Sequence, residues 1–148
     1  MEKINLSEKF SLINDYWNPR IVGELNGQQV KLVKFKGPFD WHHHENEDEL
    51  FYVVKGSFEM EFSDKTVTVN AGEFLIVPKM MEHRPNAKEE VEVMLFEPAS
   101  TLNTGNLINE KTLTNPVSYT HLRAHETVLD IVCRLLLEKK NNKLQQTP

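Results

Sequence analysis

The chain has 148 residues, 39% of them apolar, with 17 Lys and Arg against 22 Asp and Glu, a formal charge of −5 at pH 7 and a pI near 5.7. That length suits one domain with a real core, and the acidic balance argues against nucleic acid, whose phosphates call for a basic patch. No stretch approaches the ~20 apolar residues of a membrane span. Met1 to Asn5 lacks the apolar centre of a secretory signal, and the single cysteine, Cys133, permits no internal disulfide; a cytoplasmic protein with no membrane partner is expected.

In chain order, residues 1–19 read as an N-terminal lead-in, in which Ser7 to Ile13 predicts a short helical turn stopped by Pro19. Residues 20–98 read as a succession of strands. Ile21 to Leu25 and Gln28 to Lys36 flank Asn26-Gly27, the strongest short hairpin signal. Gly37-Pro38 breaks the second run. Trp41 to His44 predicts a short strand, and Glu45 to Asp48 a solvated acidic turn. Leu50 to Val54 is an apolar strand closed by Gly56. Phe58, Met60 and Phe62 alternate with Glu59 and Glu61, so one face is buried and the other wet. Ser63-Asp64-Lys65 turns the chain, Val67 and Val69 continue the alternation, and Asn70-Ala71-Gly72 turns it again. Phe74 to Val77 is apolar and ends at Pro78. Val91, Val93 and Leu95 alternate with Glu92, Met94 and Phe96 before Pro98. Many short strands with turn residues between them predict an all-β barrel or jelly roll, with Phe51, Val53, Met60, Phe74 and Ile76 in its core. Residues 99–115 are polar and turn-rich and are expected to run over the surface.

The histidines carry the chemistry. His42 and His44 sit two apart, so on a strand both imidazoles point to one face, roughly 6–7 Å apart at the backbone, while His43 faces the other way. Two ring nitrogens so placed converge on one ion at about 2.0–2.2 Å each. Glu49 adds a carboxylate at the start of the next apolar run, and His83 arrives from a second strand pair. Three imidazoles and one carboxylate suit a single divalent transition ion such as Zn, Fe, Mn, Ni or Cu. The plainer reading, four surface residues on polar hairpins, is weaker, because four ligand types recur at matched spacing. Lys79 and Arg84 read as exposed charges, and Met80 and Met81 as an apolar lip or plain packing.

Laid out in this way, the chain resembles the cupin superfamily of metal-binding β-barrels. The first cupin motif runs from a glycine to His-x-His, then a glutamate and six residues later a glycine; His42, His44, Glu49 and Gly56 keep those spacings, with Gly37 one residue closer than usual. In the second motif Gly72, Pro78 and His83 match, Met80 stands where a glycine belongs, and the asparagine is displaced to Asn86. A methionine in that glycine's place needs a different turn or accepts strain of about 1–2 kcal/mol. The resemblance covers roughly residues 20–98 and is closest to small single-domain bacterial cupins of the mannose-6-phosphate isomerase-like kind. It implies a double-stranded β-helix, a metal held by His42, His44, Glu49 and His83, and a homodimer.

From about Pro116 the character changes. Thr120 to Lys140 has helical spacing, with Cys133 on its apolar side, and Asn141 to Pro148 is polar and reads as disordered. Ser118 to Thr127 and Val132 to Lys140 resemble translated adapter or vector sequence, so residues 116–148 are set aside from the fold. The i, i+4 pair His121 and His125 is not expected to bind metal.

Two functions of different class follow. The first is a metal-dependent isomerase, lyase or dioxygenase acting on a small polar substrate, with the ion as Lewis acid and Glu49 as general base. The second is a non-catalytic barrel that binds or senses a small ligand; fold alone cannot choose between them.

Overall fold

The computed structural model describes residues 1–114. The tail predicted to be helical from its spacing, with Cys133, His121 and His125, therefore lies outside the described residues. No helix among the described residues is long and apolar enough to cross a membrane.

The lead-in forms α1 (Leu6–Phe10), one short helix whose first turn is capped by the Asn5 side chain accepting from the Glu8 N–H at 3.1 Å. The chain then builds β1 (Arg20–Leu25) and β2 (Gln28–Pro38). Asn26 and Gly27 have φ of 50° and 76°. These are the left-handed conformations of the tight hairpin turn that Asn-Gly signals, and Leu25 faces Gln28 across it. The remaining strands are β3 (Glu49–Lys55), β4 (Ser57–Phe62), β5 (Thr66–Asn70), β6 (Phe74–Val77) and β7 (His83–Pro98).

Every pairing is antiparallel, and β7 is the spine. One edge of β7 pairs with β2 from Gln28↔Pro98 to Pro38↔Asn86. The other edge is shared. Its first residues take β4, from Phe62↔His83 to Glu59↔Asn86, and its last take β3, from Lys55↔Glu92 to Leu50↔Phe96. The order β1-β2-β7-β3-β6, with β4 and β5 branching from β7, is that of the expected all-β jelly roll. Register shifts at Phe35/Gly37 and Val53/Lys55 bend the paired strands around the interior.

Strand alternation decides what that interior contains. Val33, Phe35, Phe51, Val53, Phe58, Met60, Val77, Val91, Val93 and Leu95 point inward and form the main core. A second cluster lies on the outer face, where Phe10 and Ile13 of the lead-in cover Val22 and Leu32.

Three expectations are corrected. Trp41 to His44 is not a strand; within it only His42 pairs, in an isolated bridge to His83. Phe74 and Ile76 are not core, being 62% and 52% exposed. A short apolar run carries no parity signal, and in β6 it is Leu75 and Val77 that face inward. Lastly, His83 and Val91 to Leu95 belong to one 16-residue strand. Pro85 and the exposed charges Lys88, Glu89 and Glu90 mask its continuity.

Candidate metal centre

His83 opens β7 and Glu49 opens β3, while His42 and His44 lie on the connection between β2 and β3. The bridge places His42 beside His83 through reciprocal backbone hydrogen bonds of 3.1 and 2.9 Å. Alternation survives without a full strand: His42 and His44 are buried, and His43 turns outward to meet the Glu82 carboxylate at 3.1 Å. The outcome is a buried cluster in which one ligand-type atom from each of His42, His44, Glu49 and His83 lies within 4.8 Å of the others. All four residues are 5% exposed or less.

The hydrogen bonds around the rings leave their inner nitrogens bare. His42 Nδ1 donates to the Asp40 carbonyl at 2.8 Å and His83 Nδ1 to the Met81 carbonyl at 2.7 Å. A carbonyl only accepts, so Nδ1 holds the proton and Nε2 keeps its lone pair. Nε2 of His44 and of His83 and Oε1 of Glu49 are buried without a hydrogen-bond partner. They crowd together, with Glu49 Oε1 at 2.5 Å from His44 Nε2 and 3.5 Å from His83 Nε2. Unsatisfied buried groups cost about 1–3 kcal/mol each. A divalent cation would satisfy all of them at once, and three nitrogens with one oxygen form a donor set for a first-row ion.

The electrostatics agree. Burial, reinforced by the neighbouring His83, pushes His42 down to about 4 from 6.5, so the ring is neutral at ordinary pH. Burial alone would raise Glu49, but the adjoining Glu97, His44 and His83 side chains outweigh it and hold the carboxyl well below the usual carboxylate range. Glu97 moves the opposite way: burial and the adjacent Glu49 charge raise it well above that range. Glu97 Oε1 takes a bond from Lys31 Nζ at 2.8 Å, a fully buried pair.

Glu97 and Lys31 were not anticipated from sequence, although a signal exists. The inward alternation Val91, Val93, Leu95 continues to Glu97, and that of Phe35, Val33 to Lys31. Residues 99–114 also do more than cross the surface. Thr101 and Thr104 are buried. Asn106 clamps the histidine segment by donating its N–H to the His43 carbonyl and accepting the His43 N–H on Oδ1, both at 2.9 Å. Gly105 lies so close that a Cβ there would collide with the His43 carbonyl and sit 3.0 Å from the His42 ring.

Met80 keeps φ at 69° and donates its N–H to the His44 carbonyl at 2.6 Å. It therefore retains the turn a glycine would make and accepts the strain, which is tolerable because its side chain is 62% exposed. Arg84 is engaged by Glu61 at 2.6 Å and stacks on Trp41. Asp48 accepts the Lys79 N–H at 2.8 Å.

Beside the cluster, Phe35, Phe39, Phe51 and Trp17 line a pocket inside the barrel that also meets His42, Glu49 and Glu97, with about 30 Å³ of free space. A jelly-roll sheet that turns a buried set of metal-type donors and a small pocket inward marks a β-barrel with a candidate metal site. Residues 31–97 match the family model described as Cupin domain. A crystal structure of a cupin-2 domain containing protein from Shewanella frigidimarina shares 47% identity; the match covers 64% of this chain and 93% of that one, with a TM-score of 0.64. A protein structure from Neisseria meningitidis shares 34%, over 66% of this chain and 100% of that one, with a TM-score of 0.62. Uncharacterized protein YdbB of Bacillus subtilis is 42% identical over 64 residues, 43% of this chain and 57% of that protein. The chain spans 57% and 56% of the length of the curated relatives it matches. The chain belongs to the cupin family.

Proposed function

We propose that this cupin holds one divalent transition ion on His42, His44, Glu49 and His83 and binds a small oxygen-donor ligand beside it in the barrel pocket. The observation that carries the reading is the set of buried, partnerless donor atoms turned toward one another. The ion would supply Lewis-acid polarisation of the ligand's oxygen. The chain's own residues do the rest. Asp40 and Met81 carbonyls fix the ring orientations, the aromatic walls exclude water, and Glu49 stays ionised as both ligand and proton acceptor.

Chemistry of the isomerase, lyase or dioxygenase kind would draw on the two carboxyls, Glu49 and Glu97, that share the pocket beside the cluster. The second reading, a non-catalytic ligand-binding barrel, requires only the cluster and the pocket. Turnover separates them. The metal-loaded chain is incubated with sugar phosphates, diols and diketones while products and dioxygen are followed. Product that forms with the native chain and vanishes in His42→Ala and Glu49→Gln supports the enzyme. Ligand binding with no turnover of any of them supports the binding barrel. The single cysteine fits a reducing compartment such as the cytoplasm.

A further inference from the structure

Neighbouring strands turn from apolar to ionisable at the same level of the barrel. Along β2 the inward positions Phe35 and Val33 are apolar, and the next is Lys31. Along β7 Val91, Val93 and Leu95 are apolar, and the next is Glu97. On β3 Val53 and Phe51 are apolar, and the next is Glu49. Because β7 lies between β2 and β3, Lys31, Glu97 and Glu49 form a row across the sheet. The register Lys31↔Leu95 puts Glu97 on the diagonal from Lys31, within reach of a long side chain. Continuing the register Leu50↔Phe96 by one residue sets Glu97 against Glu49. Residues opposed in this way share a face of the sheet, and both carboxyls line the inner pocket.

The row is dry: Lys31 and Glu97 are each 2% exposed and Glu49 is 5%. Lys31 Nζ donates to Glu97 Oε1 at 2.8 Å. Among the described residues this is the bond that anchors the Glu97 carboxyl, since Oε2 is buried without a partner. At the far end of the row Glu49 Oε1 reaches His44 Nε2 at 2.5 Å and His83 Nε2 at 3.5 Å. Taking an ammonium out of water is costly, and filling a barrel does not call for one. Valine, leucine and phenylalanine fill the adjoining inward positions. The row instead runs from a buried lysine to the carboxylate of the metal cluster.

We propose that Lys31 is a positioning residue for the metal site: it fixes the Glu97 carboxyl, and Glu97, set against Glu49, confines the Glu49 carboxylate to the rotamer that faces His44 and His83. The inference rests on the metal reading above. The Asp40 and Met81 carbonyls orient the rings of His42 and His83. The carboxylate ligand is oriented by side chains, from β2 through β7.

The test uses the full chain loaded with cobalt(II), whose visible absorption reports the geometry of its ligands. Cobalt affinity is measured by competition with a chelator in the native chain, in Lys31→Met and in Lys31→Met/Glu97→Leu, with circular dichroism to check the fold. By charge alone, taking an ammonium away from a dication leaves its binding unchanged or tightens it. Loss of support does the reverse, and affinity is expected to fall about tenfold or more in both variants, with a changed visible spectrum. Should Lys31→Met not fold, the double variant decides, since apolar residues of similar volume often replace a buried pair without loss of stability. A smaller loss, tighter binding or an unchanged spectrum in the folded variants would overturn the proposal. A native chain that takes up no cobalt marks instead the failure of the metal reading, and the positioning role falls with it.

Discussion

His42 shows what burial does to a proposed metal ligand. Its ring sits 3% exposed with its titration held near 4 against 6.5 in the open chain. In the metal-free protein the unfolded state therefore binds more protons than the folded state between those values. The His42 contribution to stability is constant above about pH 6.5, falls as pH drops toward 4, and levels off below; the full shift corresponds to about 3 kcal/mol. Urea midpoints of the metal-free chain at about pH 7.5 and about pH 4.5 check this, and His42→Ala should flatten the difference. Equal midpoints in the native chain would contradict it. The alternation that separates His43 from its neighbours was legible in sequence, because a period of two needs only the local backbone to be extended. Met80 was half legible: the departure from glycine was visible, but whether the turn changed or the strain was accepted depends on the exposure of its side chain.

Among the elements, the 99–114 segment shapes the candidate metal site more than its sequence suggests. The missing strand at Trp41 to His44 is the counterpart of this: the histidine segment has only one bridge to β7 and is held from the other side by Gly105 and Asn106. Gly105 has φ of 57° and no room for a side chain. Gly105→Ala is expected to displace the His42–His43 backbone and weaken metal affinity by about 10-fold or more, as loss of outer support commonly does. Metal competition with a chromogenic chelator measures it, and unchanged affinity would show that the clamp does not position the ligands. A polar, turn-rich run reads as surface because such runs usually are; nothing local signals that Thr104 is buried or that Asn106 meets a backbone 63 residues away. The hairpin at Asn26-Gly27 was fully legible, since its turn geometry is a property of the two residues themselves.

For the whole molecule, the jelly roll and the convergence of both histidine motifs were readable from strand count and ligand spacing. The facing of β6 was not, because four consecutive apolar residues fit either parity. Its outward pair matters for assembly. Phe74 and Ile76 are exposed on the strand that ends the sheet, opposite half-buried Tyr52 and Leu50 of β3. The strand carries no charged residue, and a second copy meeting it across a two-fold axis is the proposed occupant. Sedimentation should find a dimer that Ile76→Lys converts to a monomer with an unchanged fold; a native monomer would rule the dimer out. The account as a whole turns on the metal. Elemental analysis of the gently purified chain, and of chain reconstituted with Mn, Fe, Ni or Zn, tests this most directly. One bound ion per chain, lost in His83→Ala, is the predicted result, and no bound ion under any of these conditions would contradict it.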